Sequence, residues 1–412
     1  MHYRTDYHSA ALDQAPRSLR LGPWHLQYLA FARQADDPRP PVLLLGGAFQ
    51  RFRAFSGEVA TLLDEHPVIL LDLPSQGGNL QLAPELSLAH LADLIGLFAE
   101  RLQLPALMPI GLSYGSALAA LFAVRHPQRC ARLLLCGIST CARDGARRLL
   151  EEGLALLAEG EVQRFAQGAL TGLLNPLQQA ATGVPTGFRR ALLRQLLRLS
   201  PHEVERYRQN TQRLLDFPGF TQHPQCPTLL LVGEHDHFTQ PWEHARFAAA
   251  CADADCVLIH HADHLAQFER PAACADLYRP FLNGQPLPRT APGSTRLPRR
   301  QWLTLDKRHG PRRAPLNPGA RLRHAAGGDC AAQVLELGFF GGRLRADWPA
   351  DWPARGWQLL LPDGPALALL PLRRYDQTLS FVFTHTDADA SAALAAALAV
   401  ALQPDEVASA CA

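Results

Sequence analysis

Six short, uninterrupted apolar runs alternate with helix-like stretches over the first two thirds of the chain: Pro41–Leu45, Val68–Leu73, Leu107–Ile110, Leu133–Cys136, Thr228–Val232 and Cys256–Ile259. A strand with no polar alternation needs apolar cover on both faces. The pattern therefore predicts an α/β domain, a parallel sheet between layers of helices. An earlier stretch, residues 19–30, largely alternates apolar and polar and predicts an antiparallel strand. Between the fourth and fifth runs lies an insertion, about residues 142–222, rich in Leu and Arg at helical spacing. A helical cap inserted at that point is expected to cover the carboxyl edge of the sheet, where ligands bind in open α/β folds.

The chain has 412 residues, which suits two or three domains and allows a large core without metals or disulfides. Forty Lys and Arg against 38 Asp and Glu leave a formal charge of +2, so neither a nucleic-acid polymer nor a membrane surface is the expected partner. No window holds 18 uninterrupted apolar residues, and no transmembrane span is expected. The stretch Met1 to Ser18 is polar and has no apolar stretch of secretory type. Nine cysteines without a CxxC pair read as reduced thiols, which predicts a cytoplasmic location. The first domain is expected over 20–282. Residues 283–300, rich in Gly, Pro, Thr and Arg, read as a linker. From about 301 to 403 come short strands, such as Ala332–Leu337, Gln358–Leu361, Ala366–Leu372 and Leu379–Thr384, then an Ala/Leu helix from about 390 to 402. This predicts a second, mostly β domain.

Gly111-Leu112-Ser113-Tyr114-Gly115 follows an apolar strand and precedes a helical run. Two glycines let the chain turn sharply and lift the serine above the strand end, as a nucleophile elbow requires. A serine hydroxyl needs a base, and the base needs an orienting carboxylate, in the order Ser, acid, His. Asp236 and His264 lie just beyond the fifth and sixth runs and are the candidates; Glu234, and His260 or His261, are their rivals. The oxyanion of an acyl-transfer step needs two backbone N–H donors, here assigned to Tyr114 and to Ala48 in Gly46-Gly47-Ala48-Phe49. His235, His237, His260 and His261 read as neighbours of this set or as solvated side chains, so no metal is expected, and no cofactor.

Residues 20–282 resemble the α/β-hydrolase superfamily through Leu45-Gly46-Gly47-Ala48-Phe49, Asp72-Leu73-Pro74, the serine elbow, Gly233-Glu234-His235-Asp236 and Asp263-His264-Leu265. Within it, the Gly-Ala loop, the Asp-Leu-Pro segment and the helical cap are similar to the rhamnolipid-precursor synthases, which join two 3-hydroxyacyl chains through an ester. The resemblance implies an α/β-hydrolase fold and a serine hydrolase or acyltransferase. Its substrate would be an acyl ester or thioester, carried on a small molecule or a carrier. A non-catalytic receptor built on the same fold is the reading from another class.

The second domain carries its own signal. From 289 to 324 there are nine Arg and one Lys against one Asp. Arg308 and Arg312 match the Arg-x-x-x-Arg motif of the PilZ domain, a small β-barrel receptor for cyclic di-GMP, with Arg313 beside them. Glu336, Gly338 and Gly341 occupy its second motif, in which only the final glycine matches. The resemblance implies a PilZ-like barrel whose regulatory ligand is cyclic di-GMP, or one that meets a protein partner. Gly338 offers no hydroxyl where the family has serine, and a lost polar contact typically weakens binding by about 1–3 kcal/mol, so weak or no nucleotide binding is expected.

Overall fold

The computed structural model describes residues 1–140, 143–288, 290–307, 312, 314–315, 317–347, 353–362 and 364–401. Its first sheet contains β1 (Arg17–Leu21), β2 (Trp24–Phe31), β3 (Val42–Leu45), β4 (Val68–Asp72), β5 (Met108–Leu112), β6 (Leu133–Cys136), β7 (Thr228–Gly233), β8 (Ala254–Ile259) and β9 (Ser294–Arg296). The spatial order of these nine strands is β1-β2-β4-β3-β5-β6-β7-β8-β9. Strands β3 to β8 run parallel, and β1, β2 and β9 pair antiparallel at the two ends. All six apolar runs are strands of this sheet.

Their lack of alternation has the predicted cause. Leu43, Leu45, Ile69, Leu71, Leu133 and Leu135 pack on one face against α2 (Leu88–Arg101) and α3 (Tyr114–Arg125). Val42, Leu44, Val68, Leu70 and Leu134 pack on the other against α1 (Ser56–Leu62) and α11 (Pro271–Leu282). Successive strand residues thus enter opposite cores, both dry. Residues 19–30 depart from expectation: the stretch is a hairpin, β1 and β2, turning at Gly22 with φ +61°. Residues 283–300 also depart from it. Rather than a bare linker, they place Leu287, Ala291 and Leu297 in the core and pair β9 with β8. Three residues are too few to show any period.

The insertion forms α4 (Asp144–Ala158), α5 (Val162–Leu173), α6 (Gln179–Thr182), α7 (Thr186–Leu197) and α8 (Pro201–Asp216); α9 (Pro241–Ala250) and α10 (Ala266–Glu269) follow later in the chain. The second sheet is a closed antiparallel barrel of six strands: β10 (Gly319–His324), β11 (Asp329–Gly338), β12 (Gly341–Ala346), β13 (Trp357–Leu360), β14 (Ala366–Tyr375) and β15 (Thr378–Phe383), in the order β10-β11-β12-β15-β14-β13. Leu322, Val334, Leu344, Leu359, Leu369 and Phe381 fill it, joined by Leu394 of α12 (Ala388–Ala401). Closure removes the exposed edges that a sheet this small would otherwise carry.

The chain divides into two compact units. One contains Met1–Cys141, Leu173–Thr186 and Leu199–Lys307; the other contains Ala142–Gly172, Gly187–Arg198 and Arg308–Ala412. The insertion is therefore shared. Helices α4 and α5 group with the barrel, where Arg355 pairs with Glu152 and, at 2.7 Å, with Glu159, and Arg373 with Asp144 at 2.6 Å. Among the described residues, no helix is long and apolar enough to cross a membrane.

Helix α8 groups with the sheet and is unusual in burying a polar face. Arg206, Gln209, Asn210 and Arg213 recur at helical spacing and are all buried. They grip the loop after β4. Asn210 donates to the Ser75 carbonyl at 2.7 Å, and the Ser75 hydroxyl donates to Gln209 at 2.7 Å. Arg213 donates to the Leu86 carbonyl at 2.6 Å, to Asn210 at 2.6 Å and also to the Ala83 carbonyl, while Arg206 donates to the Gly77 carbonyl. Replacing Arg213 by Met fills the space but leaves these oxygens unpaired, at a cost of about 1–3 kcal/mol for each one left without a donor. Arg213→Met should lower the midpoint of the first urea transition of the full chain; an unchanged midpoint would show that the network is dispensable.

Candidate active site

The end of β5 and the start of α3 meet at Ser113, whose backbone lies at φ +50° and ψ −116°. A non-glycine residue there is strained, and the neighbours hold it in place. A Cβ on Gly111 would lie 2.5 Å from both the Gly115 carbonyl oxygen and Ser116 Cα, and one on Gly115 would collide with the Leu45 carbonyl. Both glycines of the motif are thus required by close approach. Ser113 N–H donates to the Cys136 carbonyl at 2.8 Å, anchoring the elbow to β6.

The turns after β7 and β8 deliver the partners. His264 Nε2 lies 2.9 Å from Ser113 Oγ, and His264 Nδ1 lies 3.0 Å from Asp236 Oδ2. Asp236 also accepts from the Thr239 N–H at 2.8 Å and from its hydroxyl at 2.7 Å. Burial alone would raise the Asp236 pKa, but the His264 imidazole, His244 and the Thr239 hydroxyl together hold it well below the usual carboxylate range. Phe238 packs edge-on against His264, with centroids 5.1 Å apart. Gly137, at φ +65°, leaves room for the imidazole: a Cβ there would meet His264 Cε1 at 2.9 Å.

The rivals are engaged elsewhere. Glu234 accepts the backbone N–H of His261 at 2.9 Å, His260 Nε2 lies 2.7 Å from Thr295 Oγ1, and His261 is exposed. In the loop after β3, the Gly47 N–H donates to Gln50 at 2.7 Å, which leaves Ala48 as the next candidate donor. Tyr114 opens α3, so its N–H lies outside the helical ladder. The loop reaches the serine: a Cβ on Gly47 would lie 3.2 Å from Ser113 Cβ. Such an arrangement can move a proton from a hydroxyl to an imidazole and meet a developing oxyanion with backbone donors.

Sequence reasoning missed several contributors. Thr239, three residues after Asp236, fixes the acid. Asp263 accepts from the His264 N–H at 2.9 Å and from the Asn175 N–H, so it ties the insertion to the turn bearing His264. Glu269 accepts from the Asp263 N–H at 2.8 Å. Only the spacing Asp-x-x-Thr gave a signal, since Asp and Thr can bond at that separation in a turn.

A model of the α/β hydrolase fold family matches residues 40–271, more than half of the chain. The chain belongs to the α/β hydrolase fold family. It is 21% identical over 255 residues, 60% of this chain and 82% of the other, to the mouse sn-1-specific diacylglycerol lipase ABHD11. It is 26% identical over 201 residues, 48% of this chain and 67% of the other, to 2-hydroxy-6-oxononadienedioate/2-hydroxy-6-oxononatrienedioate hydrolase 2 of Pseudomonas putida. Among solved structures, the α/β hydrolase MGS-M2 from a Medee basin deep-sea metagenome library superposes with a TM-score of 0.56 at 16% identity, over 66% of this chain and 99% of that one.

The barrel lies outside the region matched to the hydrolase family. Arg308 and Arg313 fall outside the described residues. Arg312 pairs with Glu336 at 3.1 Å, and Arg343 pairs with the same carboxylate at 3.1 Å. Gly338 and Gly341 face each other where β11 meets β12. Gly341 has φ +151°, and a Cβ there would strike the Phe381 carbonyl, so barrel packing alone accounts for this glycine.

Acids withdrawn from water give the hydrolase unit a pH signature: burial pushes Glu58 up to about 7 and Asp263 upward too. Burial pushes Asp72 up to about 7, although the Gly78 N–H and Arg206 pull the other way, and burial pushes Glu269 up to about 7. An acid whose pKa rises on folding stabilises the fold below its unfolded pKa, and that stability is lost as pH rises through the folded value. His244, pushed down to about 4 by burial, has the opposite slope, but only below its ordinary value of 6.5. The melting temperature should therefore fall between about pH 6.5 and 8, and Asp72→Asn should flatten that fall. A wild-type melting temperature rising over that window would refute this.

Proposed function

We propose that this chain is a serine hydrolase of acyl esters or thioesters, with Ser113 as nucleophile, His264 as general base and Asp236 as its orienting acid. The observation that carries the reading is the unbroken run of hydrogen bonds from Ser113 through His264 to Asp236, 2.9 and 3.0 Å long. With Nδ1–H donated to Asp236, the Nε2 lone pair faces the serine hydroxyl and takes its proton as Oγ attacks the acyl carbonyl. The oxyanion then lies toward the N–H groups of Tyr114 and Ala48, at the positive end of α3. His264 returns the proton to the leaving group. A second acceptor, activated by the same base, releases the acyl chain.

Aromatic side chains support an apolar acyl group. Phe49 of the oxyanion loop stacks on Tyr207 of α8 at 5.0 Å and 12°, and Phe238 flanks His264. The mouse relative, named as a diacylglycerol lipase, points the same way. The acceptor can be water or the hydroxyl of a 3-hydroxyacyl chain. Products formed from plain acyl and 3-hydroxyacyl thioesters, identified by mass spectrometry, separate the two.

Ser113→Ala and His264→Ala should each lower turnover by about 10⁴-fold or more, and Asp236→Asn by less, since the base remains. Wild-type Ser113 should label with a fluorophosphonate. Full turnover in Ser113→Ala would refute the assignment, and a serine that neither labels nor turns over any ester would favour a non-catalytic receptor.

For the barrel, the regulatory reading is a PilZ-like module, and its nucleotide site is already partly occupied from within. Cyclic di-GMP would have to displace Glu336 from Arg312. Titration calorimetry at physiological salt should show a Kd weaker than about a micromolar. Tighter binding, abolished by Arg308→Ala with Arg312→Ala, would restore the nucleotide as the resident regulator.

A further inference from the structure

The turns after β7 and β8 hold a second group of side chains beside the Ser113–His264–Asp236 set. Glu234, His235 and His261 each offer one ligand-type atom, and these atoms lie within 4.8 Å of one another. Two imidazoles and a carboxylate are a donor set for zinc; hard cations such as calcium or magnesium prefer oxygen alone. The sequence had suggested that no histidine here serves a metal. The fold separates three of the four it considered: His260 turns to Thr295, while His235 and His261 converge with Glu234.

The backbone under these side chains is already braced. Glu234 N–H donates to the Ile259 carbonyl at 2.9 Å and His235 N–H to the Ala262 carbonyl at 2.8 Å. His261 N–H donates to Glu234 at 2.9 Å, and the His261 carbonyl accepts from Arg270 at 3.1 Å. The ligands thus stand on two turns that are tied together before any ion arrives, which lowers the ordering cost of binding. His261 is exposed and opens the group to solvent. Three protein ligands leave a fourth tetrahedral position for water.

We propose that Glu234, His235 and His261 form a zinc site whose occupancy slows chemistry at Ser113. The second half of this statement rests on the serine-hydrolase reading; the first does not. A tetrahedron with bonds near 2.1 Å sets its ligand atoms roughly 3.4 Å apart, so the ion must draw the group inward. His235 immediately precedes Asp236, and His261 lies on the turn that carries His264. With the two turns already tied to one another, a contraction that the side-chain rotamers do not absorb falls on the backbone next to Asp236 and His264 and strains their 3.0 Å bond; a displacement of about 1 Å there can cost up to about a hundredfold in rate.

Equilibrium dialysis of the full chain against zinc chloride, with bound metal measured by mass spectrometry, tests the site in wild type, Glu234→Gln, His235→Ala and His261→Ala. The expected result is one zinc lost in all three variants, each retaining the wild-type circular dichroism; exposed His261 is the substitution least able to disturb folding. Zinc uptake that is equal in wild type and variants would assign the metal to the cysteines and overturn the site. So would no stoichiometric uptake below about 100 μM, a Kd weaker than most protein zinc sites show. In parallel, zinc should slow fluorophosphonate labelling of Ser113 at least tenfold in wild type and leave the rate unchanged in His261→Ala. Equal slowing in both would overturn the coupling. A serine that never labels, with or without zinc, would sink the hydrolase reading and the coupling together, while the dialysis result would still stand.

Discussion

The left-handed backbone of Ser113 is the constraint on which the rest of this end of the sheet depends. At φ +50° the residue is strained, and strain of this kind costs about 1–3 kcal/mol unless its surroundings over-determine it. They do so from three directions. Gly111 and Gly115 let β5, α3 and the Leu45 carbonyl approach within distances no side chain would allow. The Cys136 carbonyl ties the serine N–H to the next strand. The loop after β3 brings Gly47 against the serine side chain. With Oγ held in this way, the distance to His264 is set by two turns on rigid strands rather than by a mobile loop.

Electrostatics at those turns follow from crowding acids around one imidazole. Asp236 sits next to His264 and is held ionised. Asp263 and Glu269 are close enough to feel the Asp236 charge, and both are pushed upward, first by burial and then in part by that charge. Their roles therefore diverge. One carboxylate bears the charge and meets the His264 imidazole, while the others serve mainly as acceptors for backbone N–H groups that shape the turn. Two carboxylates within reach of one another cannot both ionise cheaply in a dry site, and the fold resolves this by giving the imidazole to only one of them.

The parallel strands were legible because burial on two faces erases alternation, and a run as short and apolar as Val68–Leu71 fits a strand covered on both sides. That Ser113, Asp236 and His264 would meet was legible because the elbow needs its glycines and the other two follow strands that end on the same edge of the sheet. What could not be read has physical reasons as well. Strand β12 begins Gly341-Gly342 and alternates Arg with Leu and Ala, which resembles a turn until the barrel closes over it. Strand β9 is too short to carry a period. Arg206 and Arg213 of α8 look like a solvated face, and only the carbonyl oxygens after β4 reveal that they are buried donors. Asp263 is one polar residue in a turn, and its partner, the Asn175 N–H, belongs to the backbone and leaves no trace in side-chain chemistry.

Helical spacing also reveals which face of a helix is buried but not against what, and so the division of the insertion was hidden. The chain leaves β6 and enters the barrel unit as α4 and α5. It returns for residues 173–186, departs again as α7, and comes back as α8. The returning segment is the one that meets the site. Asn175 lies two residues beyond the end of α5, and its N–H is held by Asp263, the neighbour of His264. Midway along its length, α5 is fitted to the barrel: Gly168 lies so close to the Thr384 carbonyl that a Cβ would sit 2.9 Å from it.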